Sequence, residues 1–170
     1  MRHAVQGPLI IFNMSEMVSI REAMLSDYMI ISRFQEKMAM ETENLHLNPE
    51  TVQAGVKAVF ADPSRGSYYI AETRGAIAGC LLTTFEWSDW RNGWILWIQS
   101  VYVSPEHRKQ GVFKMLYLHI KQMVEDVADF KGIRLYVDKT NEGANSVYRR
   151  CGMDAEHYRL FEWIKTSQGR

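Results

Sequence analysis

Residues 94–103 read Trp-Ile-Leu-Trp-Ile-Gln-Ser-Val-Tyr-Val, a stretch that is apolar at odd and even positions alike. In a strand, successive side chains point to opposite faces, so Trp94, Leu96 and Ile98 line one face and Ile95, Trp97 and Val101 the other. A strand apolar on both faces needs cover on both, which puts it at the centre of a sheet between two layers. Asn92-Gly93, just ahead of it, is a strong hairpin signal and pairs it antiparallel with residues 77–87. Together these constraints demand a sheet enclosed by helices.

The remaining elements supply those layers. Residues 18–21 alternate and form a first strand. Ser26 or Asp27 caps a helix with Ile30, Phe34 and Met38 on one face, ended by the acidic stretch 41–44. Asn48-Pro49 opens a second helix with Val52, Val56, Val59 and Phe60 as its stripe. A strand at 67–71 and a tight turn at Arg74-Gly75 follow. A helix over about 111–127 carries Val112, Met115, Leu116, Ile120, Met123, Val124 and Val127. A buried strand is expected at 133–137. Asn141 starts a short helix bearing Ala144, Val147, Tyr148 and Cys151, with Gly152 as its left-handed stop, and a final strand spans 158–164. The order β-α-α-β-β-β-α-β-α-β gives an α/β (α+β) chain, a mixed sheet with helices on both faces. We expect a single domain over 18–166, a flexible leader over 1–17 (Met14 or Met17 being alternative starts) and a tail over 167–170.

Basic and acidic residues number 20 each, so the chain lacks the broad positive surface that bulk nucleic-acid binding requires. The only two cysteines, Cys80 and Cys151, lie far apart, which argues against a disulfide framework and for a reducing cytoplasm. No apolar run approaches the roughly 20 residues that span a bilayer, so no membrane partner is expected.

The junction Arg108-Lys109-Gln110-Gly111-Val112-Phe113 runs from the central strand into an amphipathic helix. Helix N-termini expose N–H groups without intrahelical partners and carry a partial positive charge. Gly111 lets a ligand approach the backbone, and Arg108, Lys109 and Lys114 add charge at the same end. A diphosphate suits this construction. A solvated basic loop in an ordinary strand–turn–helix is the other reading. No Gly-Lys-Ser/Thr follows, which disfavours a nucleotide hydrolase. The loop also comes late, after a hairpin strand, which disfavours a dinucleotide-binding dehydrogenase.

Arg108 and Gly111 match the first two anchors of the pattern Arg/Gln-x-x-Gly-x-Gly/Ala, and the segment resembles the acetyl-CoA motif of the GNAT acetyltransferase superfamily. Phe113 stands where that pattern has a small residue. The segment from Asn141 to Met153 resembles the second signature, Asn-x-x-Ala-x-x-x-Tyr-x-x-x-Gly-Phe/Met. The element order resembles the same fold from Val18 onward. The resemblance implies a mostly antiparallel sheet whose strands splay at a cofactor cleft, with acetyl-CoA as donor and no metal. It implies that backbone groups of Val101, Tyr102 and Val103 bond the pantetheine arm like an added strand. The N–H groups of Arg108, Lys109, Gln110, Gly111, Val112, Phe113 and Lys114 would hold the diphosphate. Asn141 would contact cofactor or acceptor, Ala144 would line the cofactor site, and the Tyr148 hydroxyl would lie near the thioester sulfur.

An amine attacks a thioester only when uncharged, and the departing thiolate is helped by an acid such as a phenol of pKa near 10. Tyr148 fits the acid; the alternative is a core tyrosine on the stripe of Val147 and Ala144. The base is open. Gln99 stands on the central strand where the family often has Glu, leaving Glu86, Asp89 or a relayed water. Neither cysteine has a nearby His, so an acyl-enzyme is not expected. Trp87, Trp90, Trp94 and Trp97 crowd one hairpin, readable as core plus a subunit contact in a homodimer or as an aromatic wall for a cationic acceptor. Glu36, Glu41 and Glu43 are candidates for drawing that acceptor in. Two classes remain: an N-acetyltransferase for a small-molecule or peptide amine, and a non-catalytic acyl-CoA binding or sensor module.

Overall fold

The computed structural model describes residues 18–156 and 158–165; the expected leader and tail lie outside them. The described chain divides into two compact units, one through Tyr136 and one from Val137. The first contains β1 (Val18–Glu22), α1 (Tyr28–Glu43), α2 (Pro49–Ala61), β2 (Ser67–Thr73), β3 (Ala76–Ser88), β4 (Gly93–Val103), α3 (Val112–Asp126) and β5 (Phe130–Leu135). Its sheet has five strands in the order β1-β2-β3-β4-β5. All neighbours are antiparallel except β4 and β5, which run parallel. Among the described residues no helix is long and apolar enough to cross a membrane.

The helices divide between the two faces as the apolar patterning requires. Ile31 and Phe34 of α1 and Val56 of α2 pack with Tyr68, Ile70, Cys80 and Tyr102 of the sheet. The alternate residue Tyr69 faces α3, where its ring lies 5.4 Å from His119 and its hydroxyl donates to Met123 Sδ at 3.7 Å. Leu116 and Ile120 of α3 are fully buried, and burial of such a side chain stabilises by about 1.5–3 kcal/mol.

Local chemistry sets the ends. Asn48 accepts from the Thr51 N–H ahead of Pro49, capping α2 as expected. Asp27 precedes α1 but does not cap it with its side chain. Its carboxylate instead accepts from Arg21 at 2.8 Å and from the Met24 N–H at 2.7 Å. Arg74 and Gly75 take positive φ values of 50° and 79° in the turn between β2 and β3.

Two departures from the sequence reading concern β4. The pairing Cys80↔Tyr102 is followed by Leu82↔Gln99, so Ser100 and Val101 together oppose the single residue Leu81. Ser100 takes φ 51°. This bulge reverses the alternation, and Tyr102 rather than Val101 shares the face of Trp97 and Gln99. β5 starts three residues before the expected strand and ends two residues before its expected end. It begins where the parallel ladder does, at Trp94↔Phe130, and stops at Ile98↔Leu135, just before β4 bulges away.

The second unit contains α4 (Glu142–Arg150). Gly152 N–H donates to Arg149 O, and Met153 N–H to Tyr148 O, with Gly152 at φ 84°. This is the Schellman stop read from the sequence. The expected strand at 158–164 does not form. Its alternation supplies apolar side chains, but among the described residues no strand pairs with it, and Tyr158, Phe161 and Trp163 are 79%, 90% and 84% exposed.

Gly79 tests the bulge. A Cβ there would lie 2.6 Å from the Tyr102 carbonyl oxygen and 3.2 Å from Val103 Cα. Gly79→Ala must therefore spread β3 from β4 and should cost about 1–3 kcal/mol, read as a lower urea midpoint. An unchanged midpoint would show that the two strands have slack at this point.

Candidate active site

Beyond Ile98, β4 keeps its β3 partners through Gly79↔Val103 but has no β5 partner. Among the described residues of the first unit, the outward edge of residues 99–103 is therefore unpaired with any strand. Val101, Tyr102 and Val103 lie on this segment. An unpaired edge is a template for an added extended chain.

The strand leads into a short 3-10 turn, Pro105–His107, secured by Ser104, whose N–H and hydroxyl both bond Ala78 O. Lys109 (φ 62°) and Gly111 (φ 81°) then adopt left-handed backbone. Such alternation turns successive N–H groups toward one concavity. α3 starts behind Gly111 with no side-chain cap, and the first bond into this end runs from Met115 N–H to Gly111 O. The N–H groups of Val112, Phe113 and Lys114 therefore precede the helical ladder. A Cβ on Gly111 would meet nothing within 4 Å, so space is open where an anion would sit. These features fit a diphosphate. One expected donor drops out: the Arg108 N–H already donates to Pro105 O. Gln110 Nε2 likewise donates to Glu106 O. The Phe113 ring lies 6.2 Å from Tyr117 one turn on, so its bulk runs along α3.

The Arg108 side chain turns back from the loop. Nε donates to Val103 O at 2.9 Å, Nη2 pairs with Glu41 Oε2 at 2.5 Å, and the guanidinium carbon lies 5.6 Å from the Tyr102 ring centre. Tyr102 Oη donates to the other Glu41 oxygen at 3.0 Å. Burial, with Glu41 beside it, pushes the Tyr102 hydroxyl up to about 12. Glu41 is thus committed within the fold, in contrast to its expected part in drawing in a cation.

Glu86 accepts from Trp97 Nε1 and from Arg134 Nη1, both at 2.5 Å, reaching across β4. Burial acts to raise its pKa, but these two hydrogen bonds and the Arg134 charge outweigh it and hold the carboxylate below its ordinary value. Tyr136 lies 4.5 Å from the Trp97 ring, and Gln99 Nε2 donates to Thr84 Oγ1 at 2.7 Å. The aromatic hairpin is divided by the sheet. Trp94 packs with Trp87 and Phe85 on the opposite face, while Trp90 in the turn is 88% exposed. Arg134 and Tyr136, which sequence reasoning missed, join this cluster through the parallel register Trp97↔Arg134.

In the second unit, Asn141 Oδ1 accepts from Ala144 N–H at 3.0 Å, so it caps its own helix. Tyr148 is partly buried on α4. Burial, and then Cys151 nearby, raise its hydroxyl pKa.

The model of the acetyltransferase (GNAT) family matches residues 23–153. The chain belongs to this family. No curated protein matches the sequence. A possible acetyltransferase from Clostridium difficile 630 is 36% identical over 89% of this chain and 99% of its own, with a TM-score of 0.81. Two more distant structures share the fold. An aminoglycoside acetyltransferase from an uncultured soil metagenomic sample, in complex with sisomicin, is 16% identical over 91% of this chain and 100% of its own, at TM-score 0.72. A ribosomal-protein-alanine N-acetyltransferase from Brucella melitensis biovar Abortus 2308 is 14% identical over 87% and 99%, at 0.71.

Within this GNAT chain Cys80 is fully buried, and burial pushes its thiol up to about 12. The folded thiol therefore keeps its proton at pH values where an unfolded one, near 9, has lost it. The unfolded state binds fewer protons in that window, so stability falls as pH rises through it. The urea midpoint should drop above about pH 9, and Cys80→Ala should flatten the drop. Cys80 should also resist a thiol reagent at pH 8 until the protein is unfolded. Rapid native labelling of Cys80 would contradict its burial.

Proposed function

We propose that this GNAT protein transfers the acetyl group of acetyl-CoA to a primary amine of a small molecule or peptide by direct attack, without an acetyl-enzyme. The observation that carries this reading is the continuity of two binding elements: the unpaired edge at 101–103 and the open left-handed turn at Gly111, eight residues apart at their near ends. A cofactor with an amide-bearing arm and a diphosphate has groups for both. The family match runs through both compact units, which supports one domain over 18–166.

Backbone groups of Val101, Tyr102 and Val103 would bind the pantetheine arm, and N–H groups from Lys109 through Lys114 the diphosphate. Bound there, acetyl-CoA would supply an activated acetyl thioester. Tyr148, whose raised pKa keeps its hydroxyl protonated at neutral pH, would carry the proton that the departing thiolate takes up. Asn141 supports α4 through its cap, and Ala144 supplies the N–H that the cap engages. Glu86, ionised and held low, is a weak base. It suits binding an ammonium group beside the Trp97 and Tyr136 rings, the amine's proton leaving to solvent. The aminoglycoside and ribosomal-protein enzymes of this fold are named for amine-bearing acceptors, which supports an amine here. The expected setting is cytoplasmic.

The engagement of Glu86 and Gln99 favours a second reading, a non-catalytic acyl-CoA sensor. Thiol release from acetyl-CoA across an amine panel separates the two: release with some amine supports the enzyme, and binding without release supports the sensor. Tyr148→Phe should lower kcat by roughly 10²–10⁴-fold with little change in acetyl-CoA affinity. An unchanged kcat, with chemistry shown to limit turnover, would return Tyr148 to the core.

A further inference from the structure

We propose that Glu41, at the end of α1, is a positioning residue for the acetyl donor and acts through Arg108. The inference rests on the reading above that residues 109–114 hold the diphosphate. Arg108 opens that loop, and its charge suggests a direct phosphate ligand. The geometry assigns it another task. Nε on Val103 O staples the first residue of the loop to the last residue of β4 across the intervening 3-10 turn. The staple fixes how the chain leaves the strand, and so where Lys109 and Gly111 place the N–H groups behind it.

The guanidinium does not hold this pose by itself. Glu41 Oε2 fixes Nη2, and Tyr102 Oη fixes Glu41 from the other side at 3.0 Å. Tyr102 is 3% exposed, and its ring packs 5.0 Å from Phe34 of α1. The carboxylate thus stands between a side chain locked in the core and a loop residue at the surface. Both carboxylate oxygens are used, one on each. An exposed ion pair by itself contributes little to stability. This pair is about two-fifths exposed on each side, 43% for Arg108 and 40% for Glu41, so its effect should appear in loop geometry rather than in folding. Glu41 also links α1, which packs on β3 and β4, to the cofactor loop.

The two assignments for Arg108 predict opposite signs for one substitution. If Arg108 were a phosphate ligand that Glu41 merely competes for, Glu41→Gln would free it and tighten CoA binding. If Glu41 positions it, the same change weakens binding. Calorimetric dissociation constants for CoA should be measured for the wild type, Glu41→Gln, Arg108→Gln and the double variant, with urea midpoints as controls for folding. We expect each single change to weaken CoA by about tenfold and the double variant to bind no worse than Arg108→Gln, since the residues act as one unit. Midpoints should be nearly unchanged, and KM for acetyl-CoA should rise with kcat within about twofold. Tighter or unchanged binding by Glu41→Gln, additive losses, or a lowered midpoint with intact affinity would each overturn the proposal. A wild-type protein that fails to bind CoA would take down the loop reading itself and this proposal with it, a result distinct from any pattern among the variants.

Discussion

The bulge in β4 is the constraint on which the rest of the structure depends. β4 is an interior strand up to Ile98, where β3 and β5 both pair with it. One inserted residue, with Ser100 in left-handed backbone, then turns the strand and ends its ladder with β5. A β-bulge sharpens local twist and interrupts pairing. Three consequences follow together. An edge opens at 99–103, Tyr102 swings onto the α1 face to meet Phe34 and Glu41, and the chain exits toward the Gly111 turn. Gly79 makes this possible from the β3 side, because a side chain there would strike the Tyr102 carbonyl.

The polar residues near this opening form two networks rather than a field of free charges. Glu41 joins Tyr102 to Arg108, and Glu86 joins Trp97 to Arg134. Carboxylates held by two donors are kept ionised and oriented at the expense of basicity. That explains why Glu86, held below its ordinary pKa, is a weak proton acceptor. The parallel β4–β5 register brings Arg134 beside Trp97, from residues far apart in sequence.

Much of this was legible in the sequence where local chemistry decides. The two-sided apolar run located an interior strand, β4, although the middle of the five-stranded sheet is β3. Asn48-Pro49, Gly111 and Gly152 marked helix ends that formed where their chemistry required. Two resembling signatures pointed to the GNAT family, and the family match agrees. What was not legible is what depends on partners distant in the chain. The bulge leaves no mark in an apolar run, so Val101 was read onto the face that Tyr102 occupies. The start of β5 was missed because Phe130, Lys131 and Gly132 do not form an apolar run; the β4 edge recruits them. Residues 158–164 alternate like a strand yet do not form one. Glu41 looked like one of several surface acids, since nothing local reveals that it meets Arg108.

The central claim is that the junction of β4 with α3 holds the diphosphate of acetyl-CoA. Gly111→Glu tests it most directly, because a Cβ there meets no atom within 4 Å. Left-handed strain at this position should cost folding about 1–2 kcal/mol, so the variant's urea midpoint is checked first. The added carboxylate would meet a bound diphosphate with like charge. Calorimetric titration with CoA should show binding to the wild type and none to folded Gly111→Glu at millimolar ligand. Wild-type affinity in the variant would place the cofactor elsewhere and contradict the account.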